Sequence, residues 1–212
     1  MTEPAAWMNL ATAYELLSLG LLLPGRETAE ALARGELAEV AEEVFAIPFS
    51  EFDGYAGDDA EAVFHAIRVE YTRLFVGERE PLITPYAGVK ASMDKGNKGL
   101  LFVGAESMEI ERFMKRCGMV KDLAAGQAND PMDHVGTMCE FLKYLALVNA
   151  QAIAAPEGTE IAEGEFSVFF TSHFETYASW CAGQLTALAT EPFYRGMARA
   201  LSCTCELSQS TR

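Results

Sequence analysis

Between Asp59 and Gly77 the apolar residues Ala60, Val63, Phe64, Ile67, Tyr71, Leu74 and Phe75 recur at helical spacing. That period matches one face of an α-helix and no strand. A stripe this wide must be covered by other helices, so one such segment already sets the architecture. The rest of the sequence agrees. Strand signals are scarce, helix signals recur, and no internal repeat is visible.

The pattern predicts a long buried helix over 4–23, stopped by Pro24-Gly25. Short helices follow over 27–34 and 36–46, then a loop over 48–58 and the strong helix 59–75, closed by Gly77. Residues 78–104 carry Pro81, Pro85, Gly88, Gly96, Gly99 and Gly104 and predict a long loop, with Leu100-Leu-Phe-Val103 as a short ordered piece. Further helices are expected over 107–117, 131–152, 165–173, 175–189 and 192–203. Residues 121–129 and 156–164 serve as links, and the last nine residues as a frayed end. The expectation is an all-α, single globular multi-helix domain of about eight to ten helices. It divides into N-terminal helices over 1–75, a long loop over 76–106 and C-terminal helices over 107–205.

Net charge is −15 across 212 residues. Phosphate binding needs clustered Lys and Arg, so nucleic acid and anionic membrane surfaces are poor partners. Residues 1–62 hold 13 acids against Arg26 and Arg34, which is −11 of the total. Such a surface either solvates helix faces or draws in a cationic partner. Residues 7–23 are almost wholly apolar, yet Glu15 and Asn9 interrupt them and no Lys or Arg precedes them. They fit neither a signal peptide nor a stable membrane span. Cys117, Cys139, Cys181, Cys203 and Cys205 are odd in number and irregularly spaced, as expected of reduced cytoplasmic thiols.

Asp130-Pro-Met-Asp133-His134 reads as a helix start: Asp130 as cap, Pro131 in the first turn, Asp133 favoured by the dipole. An acid beside an imidazole could bind, switch or catalyse. Only His65 and His173 remain as further imidazoles, without carboxylates at metal-ligand spacing. No nucleophile elbow, P-loop or dinucleotide fingerprint accompanies them. The residues therefore predict no enzyme, no metal and no cofactor. Glu70 and Arg73 form an i,i+3 pair at the end of helix 59–75.

The order of these stretches carries a resemblance. Glu70-Tyr71-x-x-Leu74-Phe75, then Pro85-Tyr86 in a loop, then Asp130-Pro-x-Asp133-His134 opening a helix resembles the TorD/DmsD family of cytoplasmic chaperones for molybdenum-containing oxidoreductases. Phe170-Thr-Ser-His173-Phe-x5-Trp180 and Pro192-Phe193-Tyr194-Arg195 agree with it. The likeness spans 70 to about 200; residues 1–69 share helical character only. One departure stands out. The family loop runs from its Pro-aromatic pair through a Ser to a second aromatic, whereas here Gly88 and Lys90 occupy those places.

The resemblance implies a system-specific chaperone that binds the twin-arginine signal peptide and the apo form of a molybdoenzyme catalytic subunit. It would aid cofactor insertion and delay export until maturation. On this expectation the signal-peptide site comprises Glu70, Tyr71, Leu74, Phe75, Pro85, Tyr86, Asp133, His134 and Glu140. The apolar members supply walls. Asp133, with Glu70 or Glu140, accepts guanidinium, and His134 joins loop to helix. The alternative is a helical regulator responsive to a nucleotide or small molecule, although no phosphate-cradling Gly-Lys motif is present. The link 156–164 is long enough for helix exchange in a homodimer.

Overall fold

The computed structural model describes residues 3–96, 104–119, 131–159, 161–162 and 164–211. Helix α1 (Pro4–Leu21) opens with Pro4 at its first position, where a missing N–H costs nothing. It is the axis of the molecule. It packs chiefly on α8 (Val135–Asn149), then on α11 (Pro192–Thr211) and α3 (Glu36–Phe45). Leu10, Tyr14, Leu17 and Leu21 are fully enclosed there. At about 1.5–3 kcal/mol per large apolar side chain, this burial explains why so hydrophobic a segment sits in a core.

Around that axis run α2 (Arg26–Ala33), the single turn α4 (Ser50–Asp53) and α5 (Ala60–Tyr71). Asp59 caps α5 by accepting the Ala62 N–H at 3.2 Å. Its predicted stripe is buried at Val63, Ile67, Tyr71, Leu74 and Phe75. The helix does not end at Tyr71 but widens into a π-helical turn, Thr72–Val76, in which Gly77 N–H reaches back five residues to the Thr72 carbonyl at 2.7 Å. Gly77 then turns the chain with φ +66°, where an added β-carbon would lie 2.1 Å from the Glu80 carbonyl oxygen.

The expected loop 76–106 holds a helix of its own, α6 (Ala87–Asp94), packed on α7 (Ala105–Arg116). Residues 97–103 and 120–130 lie outside the described residues, and with them the expected piece 100–103, the link 121–129 and Asp130. Helix α8 starts at Val135 rather than 131. His134 is its cap, with Nδ1 accepting the Gly136 N–H at 3.2 Å.

Two further boundaries differ from expectation. The segments 165–173 and 175–189 form one continuous rod. Helices α9 (Glu165–Phe169) and α10 (Glu175–Leu188) are joined through a second π-helical turn, Phe170–Phe174. The C-terminal end is not frayed: α11 runs to Thr211, with Thr204, Ser208 and Thr211 buried. Their hydroxyls return to the helix's own carbonyls four residues back, which lets polar side chains enter the core. Ser208 Oγ also meets Tyr14 Oη at 2.8 Å, tying the C-terminal helix to α1. The result is an all-α single domain. Among the described residues no single helix is long and apolar enough to cross a membrane.

Candidate functional site

Pro85-Tyr86 and Asp133-His134 meet. Ala87 N–H donates to the Asp133 carbonyl at 3.0 Å and Val135 N–H to the Pro85 carbonyl at 2.8 Å, forming a one-rung antiparallel bridge between Tyr86 and His134. Their rings pack edge to face with centroids 5.4 Å apart. Tyr71 adds its hydroxyl 3.3 Å from His134 Nε2. Because Nδ1 accepts from Gly136, its lone pair is engaged, and the neutral imidazole carries its proton on Nε2, facing Tyr71. His134 thus joins α5, the loop and α8.

Asp133 has a different surrounding from the one expected. It is 0% exposed, and its Oδ2 accepts both the Gly88 N–H and the Ser107 hydroxyl at 2.8 Å. Oδ1 is buried without a hydrogen-bond partner. Burial pushes its carboxyl above the usual range, and the Gly88 and Ser107 donors only partly offset that. The carboxylate clasps the start of α6 and is not open to a guanidinium. Gly88 has a steric reason: a β-carbon there would lie 2.1 Å from Ser107 Oγ and 2.9 Å from Asp133 Oδ2. The hydroxyl that the family pattern expects at 88 arrives from α7 instead.

Glu70 is also engaged. Both of its oxygens bind Arg73, at 2.7 and 2.8 Å, and Oε1 accepts from Thr190 N–H, Thr190 Oγ1 and Glu191 N–H. Arg73 in turn donates to the Leu188 carbonyl at 2.6 Å. Burial alone would raise the Glu70 carboxyl, but Arg73 and the two backbone donors outweigh it and bring it down to about 2. The pair fastens the end of α5 to the α10–α11 corner. Glu140 is half-buried on α8, and its carboxyl is raised by burial, with Lys143 opposing and Glu15 adding to the shift. The expected acceptors Glu70 and Glu140 are therefore not brought to the bridge.

The apolar members lie inside. Leu74 is enclosed, and its carbonyl takes the Ile83 N–H at 2.9 Å. Phe75 packs between Tyr71 and Tyr194 at 5.0 and 6.2 Å. Pro85 is buried and Tyr86 only half so. Tyr177 on α10 donates to the Thr84 carbonyl at 2.7 Å and pins the loop from the far side.

Beside Ala87 opens a cleft of about 200 Å³, lined by α6, the start of α7, the second π-turn and α10. Lys90, Asp94, Glu106, Ser172, His173 and Thr176 supply its polar groups. His173 Nδ1 sits 2.8 Å from Glu106 Oε1, and Phe113 and Phe169 pack on its ring. No motif pointed to Ser107, Glu106 or Tyr177. The one usable signal was the missing serine at 88, which leaves a hydroxyl to be found elsewhere.

Two π-turns therefore fall within two of the resembling stretches, 70–75 and 170–180, and the bridge joins two others. A model of the nitrate reductase delta subunit family matches residues 27–182, which takes in all but the last of them. The chain belongs to the nitrate reductase delta subunit family. That family comprises chaperones of molybdoenzyme maturation, acting with molybdoenzyme subunits. The delta-subunit family and the resemblance read from residues 70–200 are one group of redox enzyme maturation proteins. No curated protein sequence matches the chain. Among the described residues no three His, Cys, Asp or Glu side chains gather as a metal site.

Proposed function

We propose that this chain is a cytoplasmic, system-specific chaperone that binds the twin-arginine signal peptide of an apo-molybdoenzyme catalytic subunit. It holds that subunit back from export until its cofactor is in place. The observation that carries the reading is the Tyr86–His134 bridge, which joins two distant stretches of the family pattern at the edge of the α6 cleft. In this reading Tyr71, Leu74, Phe75, Pro85, Asp133 and His134 form the support that fixes Tyr86 and α6, while Asp94 and Glu106 face the peptide's cations.

The chemistry of a leader suits this division. A charge pair at about 4 Å gives roughly 4 kcal/mol at an effective dielectric near 20, before desolvation. Micromolar binding needs about 8 kcal/mol, so apolar contact has to contribute. Met93, Met108 and Val168 stand exposed on α6, α7 and α9, the helices around the cleft. Methionine surfaces adapt to varied apolar sequences.

The test is calorimetry or pull-down with leader peptides encoded in the same genome, with Arg-Arg changed to Lys-Lys as control. Binding to one leader that weakens in the control supports the reading. Failure to bind any of them defeats it.

A further inference from the structure

We infer that Lys90 is a tethered stand-in for a peptide arginine, filling the guanidinium subsite of the α6 cleft until a client displaces it. This rests on the peptide-binding reading above and extends it to a named subsite and a mode of control. Lys90 Nζ lies 2.5 and 2.6 Å from the two Asp94 oxygens and 5.1 Å from the centroid of the Trp180 ring. The side chain is only 17% exposed. A cation is thus already held between a carboxylate and the face of the aromatic that attracts cations best.

The pair is placed against the interests of its own helix. In α6 the lysine precedes the aspartate at i,i+4, the weaker of the two orders. Lys90 lies in the half nearer the positive end of the dipole, and Asp94 is the last helical residue, at the negative end. Local stability does not account for it. A role in the cleft does, since both residues line it.

Every partner of the ammonium is a better partner for guanidinium. A planar guanidinium stacks on an indole, takes both Asp94 oxygens in parallel and is less strongly hydrated than an ammonium. Glu106, oriented by His173, adds a second carboxylate on the same cleft. The volume of about 200 Å³ admits roughly half a dozen water-sized groups, enough for a guanidinium and its nearest methylenes. The tether also sets selectivity. An intramolecular ammonium competes at an effective concentration of about millimolar. A peptide lysine merely exchanges like for like, whereas a peptide arginine gains the fork and the stack. Lys90 therefore weakens all ligands and penalises lysine most.

The test uses the full chain with Trp7→Phe, so that emission reports Trp180, titrated with an Arg-Arg leader, its Lys-Lys control and N-acetyl-arginine amide. Lys90→Met should tighten the leader about tenfold and reduce the Arg-over-Lys preference, while Asp94→Asn should weaken it about tenfold. Circular-dichroism melts confirm that each variant is folded. Leader binding that Lys90→Met leaves unchanged or weakens overturns the inference while the chaperone reading stands. If no leader binds the unaltered chain, that reading fails on its own. The arginine amide then decides the inference: a saturable Trp180 shift, stronger in Lys90→Met, supports it, and no shift in either protein overturns it.

Discussion

Ser107 does at one position what the family pattern assigns to another. Its hydroxyl and the Gly88 N–H share Asp133 Oδ2, and residue 88 has to be glycine because that hydroxyl fills its side-chain space. Gly88→Ser alone should cost about 1–3 kcal/mol by overpacking. Ser107→Ala alone should cost about 1 kcal/mol or slightly more for the lost charged hydrogen bond. Gly88→Ser with Ser107→Ala should fall well short of the sum, because the second change frees the space the first requires. Urea melts of the four proteins measure this; strict additivity would separate the two residues. Glu70 makes a second prediction. Its carboxyl lies near 2 in the fold against an ordinary 4.5, so it stabilises above the ordinary value and this contribution is lost as pH falls from about 5 to about 2. Asp133 acts in the opposite sense. Burial raises it, so its contribution is greatest at low pH and declines once pH rises past the unfolded value. Glu70→Gln should lower stability at neutral pH by about 2 kcal/mol, below the range for a fully buried pair because Arg73 is partly exposed. It should also flatten the acid limb of a stability-versus-pH curve. An unchanged limb would remove Glu70 from the account.

At the level of elements, the two π-turns are the parts most sensitive to chain length. A π-turn is a helix carrying one surplus residue, and each residue removed rotates the downstream helix by about 100°. Deleting Ser172 should turn α10 relative to α9 and take Tyr177 away from Thr84, with a large loss of thermal stability. The point change Ser172→Ala at this exposed position should stay within about 0.5 kcal/mol. Equal melting of the two variants would mean the surplus residue is idle. Such turns explain what the sequence could and could not disclose. The stripe of residues 59–75 was legible because Val63, Ile67, Tyr71, Leu74 and Phe75 keep their inward face through the turn. The turn itself was not, since one extra residue barely disturbs the apolar period. Helix α6 hid among glycines and prolines, and the end of α11 among serines and threonines whose hydroxyls bond to their own helix. The bridge was foreseeable as a meeting of motifs. The burial of Asp133 was not, because its partner Ser107 lies in a separate helix with no motif of its own.

Across the whole molecule, the acids of residues 1–62 are exposed apart from the half-buried Glu15 and Glu51, which pair with Lys143 and Arg199. A field of this kind acts on encounter more than on residence. Association with a cationic leader should slow about tenfold as salt rises to about 1 M, where the Debye length is about 3 Å. Dissociation should change little. Stopped-flow rates check both, and a salt-independent association rate would leave the acidic half without a part in capture. The closure between Tyr14 and Ser208 has a consequence in time. The two residues are 194 positions apart in sequence, so the first helix is made long before the last one that covers it. At about 5–20 residues per second, translation leaves that apolar helix without its partner for roughly 10–40 seconds. During its own birth this chaperone is therefore in the condition of its clients: unfinished, with a greasy N-terminal segment waiting to be hidden.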